Sequence, residues 1–154
     1  MPLEIERKYL IGSLDFLAGI KPVFIAQSYI YSDSEKILRL RIMDTQAFLT
    51  IKGKTEGISR PEYEYEIPEN HAREMMELFC KDSIIIKKRY FLDYMGKTWS
   101  VDVFEGNNEG LVIAEIELSD PDEAFEIPPW VGKQVSHDKR YYNSYLIHHP
   151  FNSW

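Results

Sequence analysis

Glu4-Ile5-Glu6-Arg7-Lys8, close to the N-terminus, is the stretch on which the reading of this chain turns. As a β-strand its side chains alternate between two faces. Glu4, Glu6 and Lys8 then share one face; Leu3, Ile5 and Tyr9 share the other with Arg7. An ordinary half-buried strand turns its apolar face to the core and its polar face to water. A solvated strand face is the simplest reading of this pentapeptide alone. The pattern returns, however, along the whole chain.

Leu38-Arg39-Leu40-Arg41-Ile42 alternates strictly and pairs with Phe48-Leu49-Thr50-Ile51-Lys52 as a hairpin. Arg60-Pro61-Glu62-Tyr63-Glu64-Tyr65-Glu66-Ile67 alternates again, with Pro61 suited to the start of a strand or to an edge. Further strands are expected over residues 3–10, 23–31 (with Tyr29 and Tyr31), 84–94, 99–103 and 111–118. Ser13 is placed to cap a short helix ending near Gly19. Ala72, Met75, Met76 and Phe79 fall at helical spacing within residues 69–81. Asp120-Pro121-Asp122-Glu123 has the capping residue, proline and acid of a helix start, and residues 138–148 are expected to form a helix with aromatic and leucine anchors. Eight strands joined by short connections predict a mainly β (α+β) fold: an antiparallel sandwich or closed barrel with a few helices.

A chain of 154 residues with 44% hydrophobic content suits a single domain with a substantial core. Its net charge of -7 argues against nucleic acid or an anionic membrane as general partners, while leaving room for a local basic cavity. Cys80 is the lone cysteine, which excludes an intrachain disulfide and a cysteine-based zinc site. No apolar run is long enough to span a bilayer, and charge begins at Glu4 with no apolar segment after it, so a cytoplasmic location is expected.

The alternating charges are acids at Glu4, Glu6, Glu62, Glu64, Asp102, Glu115 and Glu117, and bases at Lys8, Arg39, Arg41, Lys52, Arg60, Lys87 and Arg89. A lipocalin-like barrel with an apolar interior would place all of them on the surface. Two features favour the opposite orientation. Same-sign neighbours at i and i+2 repel along a strand unless opposite charges lie across from them. The helices also need an apolar face to pack on, and if they take the outside of the barrel the charged face lines the lumen. Convergent Arg and Lys bind phosphate oxygens, and clustered carboxylates bind a hard divalent cation. Together they describe a site for a metal–polyphosphate complex.

Glu4-x-Glu6-x-Lys8 resembles the signature of the CYTH family, the triphosphate tunnel metalloenzymes, and later stretches fit in order. These are Leu38-Arg39-Leu40-Arg41, Thr50-Ile51-Lys52-Gly53, Arg60-x-Glu62-x-Glu64, Lys87-x-Arg89-Tyr90, Asp102-Val103-Phe104, Ala114-Glu115-Ile116-Glu117-Leu118 and Asp138 to Leu146. The resemblance implies an eight-stranded antiparallel tunnel with a charged lumen and helices outside. It implies Mg²⁺ or Mn²⁺ held by Glu4, Glu6 and Glu117, with Glu115, Glu62, Glu64 and Asp102 as further acids. It implies a phosphate clamp from Lys8, Arg39, Arg41, Lys52, Arg60, Lys87 and Arg89. A catalytic lysine–tyrosine dyad belongs to its short bacterial members, and Tyr29 beside Lys8 is the match. Where the family has Trp-x-Gly-x-Glu-Val-Thr, this chain has Trp130-Val131-Gly132-Lys133-Gln134-Val135-Ser136, which offers Lys133 as another phosphate contact at one tunnel mouth.

The expected activity is metal-dependent hydrolysis of a triphosphate, inorganic triphosphate first. A thiamine-triphosphatase, a class IV adenylate cyclase, and a module that binds polyphosphate or nucleotide without turnover are the alternatives. Apolar strand residues left uncovered by helices offer a face for a homodimer.

Overall fold

Each alternating run becomes a strand. The computed structural model describes residues 1–80 and 83–154. Its strands are β1 (Leu3–Leu10), β2 (Val23–Ser32), β3 (Ile37–Met43), β4 (Gln46–Lys52), β5 (Ser59–Ile67), β6 (Ile84–Tyr94), β7 (Lys97–Phe104) and β8 (Val112–Glu117). They close into an antiparallel barrel in the order β1-β5-β4-β3-β2-β6-β7-β8.

β1 joins the two ends of the sheet. Its residues 3–5 pair with β5, and residues 6–10 pair with β8. The edge that β5 leaves free along residues 8–10 is taken by residues 132–135. Gly132 N and Val135 N donate to Leu10 O and Lys8 O at 2.9 and 2.8 Å, and Leu10 N donates to Lys133 O at 2.8 Å. A Cβ at Gly132 would stand 2.6 Å from Leu10 O, so this close approach requires glycine.

Outside the barrel the apolar positions are covered in two places. Helix α1 (Glu69–Phe79) lays Ala72 and Met76 on Leu40, Ile42 and Ala47. The expected helix reached residue 81, which lies outside the described residues. The second cluster centres on Trp99 with Ile5, Tyr9, Val101 and Ile116, beneath Phe16, Phe125 and Trp130. Each such buried side chain stabilises by about 1.5–3 kcal/mol. This cover is a short 3₁₀ turn (Asp15–Leu17) and a segment without regular secondary structure, not a helix. Asp120–Glu123 forms a turn, which corrects the helix expected there. Glu123 N returns to Asp120 O at 3.0 Å, but Pro128 and Pro129 follow too soon for a helix to propagate.

A third cluster lies inside. Leu10, Ile85, Phe104 and Ile113 share the strand parity of the charged positions, and Tyr141, Leu146, Ile147 and Phe151 from the C-terminal segment pack on them. The single helix expected over residues 138–148 is broken. A 3₁₀ turn at Lys139–Tyr141 is followed by Tyr142 in extended backbone and then by α2 (Asn143–Leu146). A bulge between Tyr29 and Tyr31 shifts the β2–β3 register. Tyr29 therefore faces the lumen, while Tyr31 is exposed and donates to Asp33 Oδ2.

Candidate active site

The inward positions line a cavity of about 360 Å³. All the site residues singled out in the sequence border it except Asp102 and Lys133. A lipocalin-like arrangement is thereby overturned: Glu4 is buried facing the cavity, and Leu40 is buried on the outside under α1.

The register supplies the compensation that same-sign neighbours demand. Glu4 stands opposite Arg60, Lys8 opposite Glu115, Lys52 opposite Glu62, and Arg89 opposite Asp102. Lys8 Nζ lies 3.0 Å from Glu115 and 3.4 Å from Glu6. Lys52 Nζ lies 2.7 Å from Glu4 and 3.1 Å from Glu62. Arg39 donates to Thr50 Oγ1 and to Glu64.

Asp102 lies behind the lining. It holds Arg89 through two bonds of 2.7 and 2.9 Å and Lys87 through one of 2.8 Å. Both its oxygens are engaged by cations, so Asp102 stands behind two lining bases and not on the cavity surface with the other acids. Lys133 is exposed and lines a separate shallow depression with Arg7 and His137, away from the cavity. The local reason is that residues 132–135 spend their backbone on the β1 edge.

Two regions of the cavity carry charge of one sign without enough of the other. Glu6 stands directly across from Glu117. Burial, reinforced by Glu115, pushes the Glu6 pKa up to about 8, against the opposing pull of Lys8. Burial and the neighbouring Glu4 also raise Glu117 and Glu62. At the other region burial, with Arg39 and Arg89 close by, lowers Arg41 to about 9. Burial lowers Lys87 to about 7, Asp102 opposing and Arg89 and Arg41 assisting. Where acids and bases are well matched the direction reverses. Burial works against ionisation of Glu4, yet Lys52 overrides it and brings the pKa to about 2. Burial likewise opposes charge on Lys8, but Glu115 and Glu6 raise it above the ordinary lysine value.

Three comparisons bear on this geometry. The family model of the CYTH domain matches residues 2–142. The chain belongs to the CYTH domain family. It is 44% identical over 154 residues to an inorganic triphosphatase of Acetivibrio thermocellus, covering 100% of this chain and 99% of that protein. It is 36% identical over 148 residues to an inorganic triphosphatase of Nitrosomonas europaea, covering 93% and 95%. A crystal structure of an inorganic triphosphatase superposes with a TM-score of 0.67 at 34% identity, covering 96% of this chain and 95% of that one.

The CYTH barrel here also brings neutral residues to the cavity or directly behind its lining that charge patterning did not reveal. Gln27, fully buried, donates to the Tyr29 hydroxyl at 3.0 Å and accepts from Arg41 Nε at 3.1 Å. Asn143 accepts from Lys87 Nζ at 3.0 Å and from Gln27 at 3.2 Å. Ser136 takes the Lys8 backbone N–H at 2.9 Å and borders the cavity with Tyr142. Gln27 and Thr50 have a sequence signal, since each sits two residues from a charged or aromatic inward position. Asn143 has none, because the break at Tyr142 that delivers it is tertiary. The contacts also define the surroundings of Tyr29. Its hydroxyl connects through Gln27 and Asn143 to Lys87; Lys8, which borders the same cavity, is bound to Glu115 and lies over the Tyr142 ring.

Proposed function

We propose that this protein hydrolyses inorganic triphosphate to pyrophosphate and phosphate within the barrel, with Mg²⁺ or Mn²⁺. The observation that carries the reading is the pair of uncompensated regions. Lys87 and Arg89 share the single carboxylate of Asp102 and Arg41 meets only an amide, an excess of positive charge that favours a polyanion; Glu6 and Glu117, facing each other, favour a cation. One ligand meets both requirements, a metal-bound chain of phosphates. The two triphosphatases at 44% and 36% identity support the substrate class. The cavity of about 360 Å³ suits a small anion better than a bulky organic triphosphate.

Arg39, Arg41, Lys87 and Arg89 hold the phosphate oxygens, with Lys52, Lys8 and Arg60 completing the clamp. Asp102 positions Arg89 and Lys87. Phosphoryl transfer asks chiefly for alignment and charge neutralisation, and an array of fixed cations provides both. A water attacks the terminal phosphorus, the bridging P–O bond breaks, and pyrophosphate departs. Tyr29 borders this region of the cavity.

The metal's donor set fits in kind, since hard oxygen ligands are what Mg²⁺ and Mn²⁺ prefer. Glu6 and Glu117 would hold the ion, with Glu4, Glu62, Glu64 and Glu115 around them. No three acids among the described residues are already gathered at ligand distance, because Lys8 and Lys52 occupy several of them. A bound divalent ion supplies charge neutralisation on the phosphate oxygens and a more acidic water.

Incubation of the purified protein with triphosphate and Mg²⁺ or Mn²⁺ should yield phosphate and pyrophosphate in equal amounts, and EDTA should stop it. No metal-dependent release would overturn the reading. Pyrophosphate from ATP without orthophosphate would indicate the cyclase instead. The exposed outer residues Leu3, Ile51, Tyr63 and Tyr65 fit a homodimer face, which light scattering would test; a monomer at high concentration excludes it. No described helix is long and apolar enough to cross a membrane. The proposed site of action is the cytoplasm.

A further inference from the structure

Behind the cavity lining, in contact with Tyr29 and Arg41, lies one fully buried amide, Gln27 on β2. Its two ends are not interchangeable. Arg41 Nε has only a proton to offer, so it meets the amide oxygen, at 3.1 Å. The amide nitrogen is then left to the Tyr29 hydroxyl at 3.0 Å and to Asn143 Oδ1 at 3.2 Å. An amide nitrogen donates and does not accept. The Tyr29 oxygen is therefore the acceptor, and its own proton is directed elsewhere. Among the described residues that hydroxyl donates to no protein group, and Tyr29 borders the cavity. Asn143 Oδ1 also receives Lys87 Nζ at 3.0 Å. One neutral side chain thus touches Arg41 and Tyr29 directly and reaches Lys87 through one intermediary.

We propose that Gln27 is a positioning residue for triphosphate hydrolysis, holding the Tyr29 hydroxyl as a hydrogen-bond donor towards the bound phosphate chain and fixing the Arg41 guanidinium beside it. The proposal rests on the triphosphatase reading above. Gln27 touches no reacting atom and acts through Tyr29. A carboxylate in its place keeps an acceptor for Arg41 but has nothing to donate. Tyr29 would then give its proton to that carboxylate, and the phosphate chain would lose a donor.

The experiment is a double-mutant cycle on triphosphate turnover using wild type, Gln27→Glu, Tyr29→Phe and the double variant. Gln27→Glu should lower kcat about 100-fold with KM changed little, the scale of loss that misplacing an aligned group causes. In the Tyr29→Phe background the same substitution should cost at most about fivefold, because residues acting as a unit are non-additive. Thermal melting confirms that each variant is folded. If Gln27→Glu does not fold, Gln27→Met removes both the donor to Tyr29 and the acceptor for Arg41, and a clearly smaller loss in the Tyr29→Phe background than in the wild-type background is then the supporting result. Equal losses in both backgrounds, or a loss confined to KM, would overturn the proposal. A wild type with no triphosphate turnover would instead overturn the reading on which it rests.

Discussion

Asp102→Asn separates two roles open to a buried carboxylate in this barrel: supporting the clamp or ligating the metal. Asp102 is 1% exposed and holds Arg89 at 2.7 and 2.9 Å and Lys87 at 2.8 Å. Burial by itself would raise its pKa; Arg89 and Lys87 override that and bring it from 3.8 to about 2. At roughly 1.4 kcal/mol per unit, that shift corresponds to about 2 kcal/mol of stabilisation. Removing the charge also strands two cations in a dry site, for which losses of about 3–5 kcal/mol are typical. With about 3 kcal/mol lost, and about 2–4 °C per kcal/mol in a chain of this size, the melting temperature should fall by about 6–12 °C. The assay is thermal unfolding followed by circular dichroism in EDTA. The folded pKa is depressed, so the stabilisation is complete above the ordinary carboxylate range and is lost as pH falls towards 2. The gap between wild type and variant should therefore be steady from pH 5 to 7 and close below about pH 4. A variant melting within about 1 °C of wild type in EDTA, yet defective in metal-dependent turnover, would refute the support role and restore Asp102 to the metal shell.

Lys87→Met should keep or raise the melting temperature at pH 7, since Asp102 retains Arg89 and a buried cation is replaced by an apolar chain, while turnover falls about 100-fold or more. The folded Lys87 pKa of about 7 lies below the ordinary 10.5, so the unfolded chain binds the extra proton between them and wild-type stability gains from this group as pH rises through that window. Melts at pH 7 and pH 10 check the sign, and an unchanged slope in the variant counts against it. With the Glu6 pKa at about 8, its carboxyl is largely protonated at pH 7, so binding of Mg²⁺ or Mn²⁺ should release up to about one proton. Calorimetry in two buffers of different ionisation heat measures this, and identical heats would exclude it. Gly132→Ala places a Cβ 2.6 Å from Leu10 O and should cost about 2 kcal/mol in denaturant unfolding; a cost near zero would show that the segment yields freely.

The strands and the choice of inward face were readable because charge and apolarity alternate with period 2 along most of them, and a one-residue slip would have exchanged the faces entirely. What local pattern does not contain is the stagger between strands. β1 leaves β5 after Ile5 and continues on β8 alone, and that offset decides which side chains meet. It sets Lys52 near the end of β4 against Glu4 near the start of β1, and it frees the edge that residues 132–135 occupy. The motifs suggest a tunnel mouth for Lys133 and the row of inward acids for Asp102; in the structure one is turned to solvent and the other lies behind Arg89, differences only register can express. Gln27 and Asn143 are silent in the charge pattern for a complementary reason, since neutral amides add nothing to it and matter only once their partners are fixed. The same stagger sets Glu6 across from Glu117, an arrangement that costs energy in the bare protein. Glu6 lies 3.4 Å from Lys8, which it shares with Glu115, and Glu117 has no opposite charge within ion-pair distance among the described residues, so that repulsive pair is where a cation gains most by binding.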